Sequence, residues 1–229
     1  MNLYTDPRLT ALGIVHGTTD RCAGNMRLAE NTGALFKIQG IEECHIARFK
    51  QIHSDRLLRL SSAAEVRALQ RIPIQEADGW ILHGNGLGAA ILTADCVPLF
   101  MWDETAQVLA LAHCGWRAVA AGLPAKTARQ LRKAGAEGKL SAWAGPHIQA
   151  CCFEVQNDVA SQFPRGLQKH TGKQFVDLNK EIQYQLLQEG LEEKDIVFSK
   201  HCTCCEAEHF FSFRRDHQKD ALLSFVYKP

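Results

Sequence analysis

The stretch from Gly79 to Cys114 constrains the fold more than any other part of this 229-residue chain. It holds the apolar runs Trp80–Leu82, Leu87–Thr93 and Pro98–Trp102, then Gln107–His113, each bounded by turn residues. Runs of this length, rich in branched and aromatic side chains, read as strands. His83-Gly84-Asn85-Gly86 joins the first two, and its Asn-Gly pair predicts a tight hairpin. The same glycines do not read as a phosphate loop, because an apolar strand and not a helix follows them.

Helical signals come later. Pro124 suits a first turn, Ala125, Ala128 and Leu131 share one side, and Gly135 closes the pattern. Glu154–Phe163 places Val155, Val159 and Phe163 at four-residue steps before Pro164, which predicts another helix. Asp177 is placed to cap a third, with Leu178, Ile182 and Leu186 stacked on one face and Gly190 just past its end. Strands joined directly, together with strands that alternate with helices, predict an α/β protein with a mixed sheet covered by helices. No repeat, low-complexity tract or Pro/Gly/Ser-rich linker interrupts the pattern, so one continuous domain over 1–229 is expected.

Composition narrows the function classes. Hydrophobic residues at 46% and charged residues at 22% are globular values, not those of a disordered or fibrous chain. A formal charge of +1 offers no basic field for nucleic acid or anionic lipid, so neither is expected as a partner. No apolar run reaches the ~18 residues of a membrane span, and Met1–Pro7 lacks the pattern of a secretion signal. A cytoplasmic protein is therefore expected, as a monomer or small homo-oligomer. The 9 cysteines then read as reduced thiols. Two clusters stand out, Cys151-Cys152 and Cys202-Thr203-Cys204-Cys205; the second contains a C-x-x-C, half of a structural zinc motif, but no second C-x-x-C or closely spaced His pair completes it, so small unligated thiols are the expectation.

Three segments put chemistry at strand ends: Gln51–Ser54, Thr93–Leu99 and Ala112–Arg117. Asp95 and Cys96 interrupt an apolar stretch, and His113 ends one just before a glycine. A carboxylate in such a place needs a partner or a cleft. Two chemistries fit His53, Cys96 and His113. Two imidazoles and a thiolate can hold Zn²⁺ with one position open, where a bound water's pKa falls to about 7. Alternatively, Cys96 is a nucleophile with a histidine as its base. Spacing alone does not choose.

These segments resemble the laccase-domain or multicopper polyphenol oxidase family, also called peptidoglycan editing factor. The family pattern is Gln-x-His, Thr-Ala-Asp-Cys-x-Pro, His-x-Gly-Trp-Arg, Gly-Pro-x-Ile, Phe-Glu-Val and Phe-Phe-Ser-x-Arg-Arg-Asp. Here it stands in order as Gln51–His53, Thr93–Pro98, His113–Arg117, Gly145–Ile148, Phe153–Val155 and Phe210–Asp216. The resemblance implies a single-domain, three-layer α/β/α sandwich, similar to a cysteine-hydrolase toxin fold. It implies zinc on His53, Cys96 and His113. It also implies phosphorolysis of adenosine, inosine and S-methyl-5'-thioadenosine, with adenosine deamination besides, so a nucleoside and phosphate are the expected partners. Copper oxidase chemistry is disfavoured, since trinuclear sites need many imidazoles, often as His-x-His, and this chain has no His-x-His.

Within that reading Asp95 is a proton carrier or the group that orients a ligand imidazole. Arg117 or Arg214 grips phosphate, unless each is simply ion-paired with Asp95 or Asp216. The chain departs from the family chiefly at the front. Gly17–Arg21 runs directly on to Gly24-Asn25, without the usual Ser-Leu-Asn-Leu loop, and Thr32 stands where Arg is usual. Two rival readings use the remaining chemistry. One is a cysteine amidase editing cell-wall precursors through Cys96 and His113, and the other is a thiol-rich metal-binding protein without turnover.

Overall fold

Side-chain alternation decides the layering. In the computed structural model, which describes Met1–Pro229, odd and even positions of the apolar strands enter different cores. The two larger sheets use β1 (Leu3–Tyr4), β2 (Val15–Thr19), β3 (Ile46–Ala47), β4 (Leu57–Leu60), β5 (Gly79–His83), β6 (Leu87–Thr93), β7 (Val97–Asp103), β8 (Val108–Cys114), β9 (Leu140–Ala144), β10 (Ile196–Phe198) and β11 (Leu222–Lys228). The five-stranded sheet runs β1-β2-β11-β6-β3, and the six-stranded sheet runs β10-β9-β7-β8-β5-β4. Both are mixed: β3 is parallel to β6, β10 to β9 and β4 to β5, while the other neighbours are antiparallel.

Trp80, Leu82, Phe100, Trp102, Leu109 and Leu111 point from the six-stranded sheet toward Leu87, Ala89, Ile91 and Val226 of the other. Their neighbours Ile81, Leu99, Met101, Ala110 and Ala112 face the opposite way, onto helices α1 (Leu123–Lys133) and α2 (Leu178–Gln188). The outer face of the five-stranded sheet, through Ala90, Leu223 and Phe225, is covered by Leu35 and Phe36 of the helix Ala29–Ile38. Each fully buried side chain of this size contributes about 1.5–3 kcal/mol, so the aromatic-rich seam is what holds the sheets together.

The mixed α/β class is as expected, and helices cover both faces. The middle of the sandwich, however, is two stacked mixed sheets instead of one. The expected hairpin at Asn85-Gly86 is the reason the sequence looked simpler. β5 pairs with β8 and β4, while β6 pairs with β11 and β3, so this turn carries the chain between sheets. Gly84 (φ +135°) and Gly86 (φ +69°) allow that jump, and strands that both need burial stack face to face without pairing.

Two of the three expected helices form as read. Pro124 lies in the first turn of α1 with Ala125, Ala128 and Leu131 buried, and the Asp177 carboxylate accepts from the Asn179 backbone N–H to cap α2. The third does not. Glu154–Val155 is a strand paired with Lys173–Val176, and only Asn157–Ala160 turns helical. A sheet partner for residues 154–155 outweighs the weak helical periodicity. No helix is long and apolar enough to cross a membrane.

Candidate metal centre and active site

His53, Cys96 and His113 meet at one end of the stacked sheets. Cys96 lies in the crossing from β6 to β7, and antiparallel pairing of β7 with β8 sets His113 opposite Pro98, two residues beyond it. His53 arrives from the side, because Lys50–Gln51 pairs with Glu76–Ala77. The Gln51 side chain locks that approach: its amide donates to the Leu92 carbonyl at 2.7 Å and accepts from the Leu92 N–H at 2.8 Å. The ligating atoms of the trio lie within 4.8 Å of one another.

The organiser is Asp78, a fully buried carboxylate that the sequence reading missed. It accepts from the backbone N–H groups of His53 (3.0 Å) and Ser54 (2.6 Å), from the Ser54 hydroxyl (2.9 Å) and from His113 Nδ1–H (2.9 Å). Burial pushes its carboxyl up, but the His113 and Ser54 hydrogen bonds outweigh that and hold it below the usual carboxylate range. One carboxylate thus fixes a loop and the tautomer of His113, leaving Nε2 free toward Cys96. The only sequence signal was its place, a charge at the head of the apolar run Gly79–Leu82.

Cys96 and His113 polarise each other. Burial pushes the Cys96 thiol up, yet the positive His113 beside it, with hydrogen bonds from His113 and His53, brings it down to about 6. Burial lowers His113, but the Cys96 thiolate and Asp78 raise it to about 9. A thiolate is therefore present at neutral pH, as a metal ligand or a nucleophile requires. Both approaches to the trio use left-handed backbone, at His53 (φ +56°) and at Asp95 (φ +91°), each costing about 1–3 kcal/mol. Gly115 keeps the space between the ligands clear. A Cβ there would lie 2.8 Å from His53 Nδ1 and 3.1 Å from Cys96 Sγ. The donor set and this clearance suit a divalent ion.

The trio opens into a cleft of about 760 Å³. Phe49, Leu92, Trp116, Ile148, Phe153 and Phe213 give it apolar walls, and Arg27, Arg117, Arg214 and Lys219 bring positive charge to it. A family model described as multi-copper polyphenol oxidoreductase laccase matches residues 18–227. The chain belongs to that family. A relative from Aquifex aeolicus, named purine nucleoside phosphorylase, is 30% identical over 201 residues, 88% of this chain and 90% of its own. Another, named adenosine deaminase RL5, from an unknown prokaryotic organism, is 29% identical over 77% of this chain and 72% of its own. The crystal structure of YlmD from Geobacillus stearothermophilus shares the fold, with a TM-score of 0.86 at 24% identity over 97% of this chain and 94% of that one.

Against that family pattern, the other expected residues take different places. Asp95 does not orient an imidazole; Asp78 does. The Asp95 carboxylate instead accepts from Thr203 Oγ1 (2.7 Å), Ser212 Oγ (3.0 Å) and the Arg214 backbone N–H (2.7 Å), so it ties the Cys96 loop to two other loops. Neither arginine pairs with Asp95 or Asp216 through its side chain; Asp216 is held by Arg215. Arg214 Nη1 donates to the carbonyls of Glu154 and Cys152, with the guanidinium over Phe153. Arg117 lies over the Trp116 ring, 4.2 Å from its centroid, exposed and with no hydrogen-bond partner in the chain. It is the freer of the two for an anion. Arg27 and Lys219 lay outside the sequence reading, since neither sits in a motif.

Proposed function

We propose that this chain is a zinc-dependent enzyme of purine nucleosides, releasing the base by phosphorolysis from adenosine, inosine and S-methyl-5'-thioadenosine and deaminating adenosine as a second activity. The observation that carries the reading is that His53, Cys96 and His113 line one cleft together with apolar aromatic walls and the cations Arg27, Arg117, Arg214 and Lys219. Trp116, Phe153 and Phe213 offer surfaces for a planar base. Arg117, with its fork uncommitted, grips the phosphate, and Arg27 and Lys219 add to the field that draws an anion in. Two imidazoles and a thiolate with one side open are a catalytic zinc set, and a bound ion supplies Lewis acidity and an activated water. Asp78 holds His113 in one tautomer through the reaction, and Asp95 keeps the Cys96 loop in place. The names of the two relatives, purine nucleoside phosphorylase and adenosine deaminase RL5, support the substrate class. Zinc is favoured over laccase-type copper because no group of metal-capable side chains gathers more than two histidines.

A second reading rests on Cys96, His113 and Asp78, which line up as nucleophile, base and orienting carboxylate. It makes the protein a cysteine amidase acting on cell-wall precursors. Incubation of the purified protein with inosine, with and without phosphate, separates the two. Phosphate-dependent release of hypoxanthine that stops on chelation and returns with zinc is expected. No base release under either condition sinks the nucleoside reading, and full turnover in verified metal-free protein moves the assignment to the cysteine nucleophile.

A further inference from the structure

The unpaired half-motif Cys202-x-x-Cys205 finds its other half in the fold. The vicinal pair Cys151-Cys152 sits at a turn that packs against the 201–206 loop, where residues 147 and 202 form a parallel bridge. Four sulfurs gather there. Sγ of Cys151 lies 3.8 Å from that of Cys152, 3.7 Å from Cys202 and 3.5 Å from Cys205, and Cys152 is 3.2 Å from Cys205. All four sulfurs lie within 4.8 Å of one another, and none is in a disulfide. A zinc ion with Zn–S bonds of roughly 2.3 Å needs sulfurs at the corners of a tetrahedron with edges of about 3.8 Å. The cluster is already close to that size.

We infer that Cys151, Cys152, Cys202 and Cys205 form a second, structural zinc site. Tetrahedral sulfur sites select zinc or iron, and four protein ligands leave no position for a reacting molecule. Thiol protons leave to the buffer as the ion binds, so no oxidant or reductant is involved. The surroundings of Cys202 are those of a thiolate. The Gln149 backbone N–H donates to Cys202 Sγ at 3.4 Å, and the backbone N–H groups of Cys204 and Cys205 also point to it. The Cys202 N–H is fixed by the Glu206 carboxylate at 2.9 Å, and Glu206 also accepts from His201. Cys151 and Cys205 are exposed, which gives an ion an entry path.

The site braces the cleft. Ile148 and Phe153, on either side of the vicinal pair, line the cleft wall. Thr203, inside the C-x-x-C loop, donates to Asp95 next to Cys96. A metal here pins two loops that reach the active centre without touching it.

The inference does not depend on the nucleoside reading, and its test is a metal count. Zinc in the purified full-length protein, measured by elemental analysis against protein concentration, is expected to fall by one ion per chain in Cys151→Ser/Cys205→Ser, while Cys96→Ala keeps the cluster's ion. A folded double variant with wild-type zinc content, or iron in place of zinc, overturns the site. Should the double variant fail to fold, iodoacetamide footprinting of the wild type decides. The exposed Cys22 should label at once, and the four clustered cysteines, more slowly, only after a chelator is added. Labelling of the four at the rate of Cys22 before chelation overturns the proposal, as does labelling that needs a reductant instead of a chelator.

Discussion

The two thiol centres of this molecule are built in opposite ways. At the His53/Cys96/His113 centre the ligands are few, mixed in chemistry, and held by left-handed backbone at His53 and Asp95 and by the buried Asp78. At the cysteine cluster there are four like side chains, and neither they nor their direct neighbours have a positive φ. The first centre has an open side on a cleft, whereas the second is closed by its own sulfurs. Strain and a buried charge thus accompany the trio that opens on the cleft, and neither accompanies the four-sulfur cluster.

The largest effect expected separates the centres by function. Cys96→Ala should lose more activity than the roughly 100-fold cost of removing an outer hydrogen-bond partner of a ligand. Cys96→Asp should keep more zinc than Cys96→Ala, which retains the cluster's ion alone, and a small residual nucleoside activity, because zinc accepts a carboxylate where a covalent nucleophile has no substitute. Equal and complete loss in both variants, with zinc retained, would point to the nucleophile. Next in size is Asp78→Asn, which leaves His113 without its carboxylate and should weaken metal binding about 10–100-fold. Competition with a chromophoric chelator measures it, and unchanged affinity would show that His113 is oriented by packing alone.

The smallest effect is a difference in pH response after all metal has been removed. The Cys96 thiolate fraction rises with pH through about 6, so iodoacetamide labelling should reach half its plateau there. Burial, with hydrogen bonds from Cys205 and Cys202, pushes Cys151 up to about 12, so without metal it should label more slowly than Cys96 at pH 8. Site-resolved mass spectrometry reads both in one sample. A Cys96 midpoint near the ordinary thiol value of about 8.5 would break the coupling to His113.

Much of the active centre was legible in the sequence because its residues sit in local patterns. Thr93–Pro98 and His113–Arg117 each place a ligand at a strand end, and the strand pairing then brings the ends together. Asp78 was not legible, since its partners His53, Ser54 and His113 are distant in sequence and nothing local marks it except its break of an apolar run. The cysteine cluster was half legible: both cysteine runs stand out in the sequence, but their meeting is set by the fold, because Cys151 and Cys202 are 51 residues apart and a vicinal pair is not the usual second half of a C-x-x-C. The caps at Pro124 and Asp177 were readable because helix ends are decided locally. Whether two strands pair or stack is decided by the rest of the chain, so Asn85-Gly86 misled.

The position of β11 has a consequence for how the protein is assembled. It lies between β2 and β6, and the buried hydroxyl pair Thr18–Ser224 joins residues 206 apart in sequence. Until that strand arrives, β2 and β6 have bare edges facing each other across a gap. Closing so long a loop is slow, and unpaired edges meanwhile invite pairing with other chains. Cys96 follows the end of β6 by three residues, so the gathering of His53, Cys96 and His113 depends on a sheet that only the C-terminal strand completes.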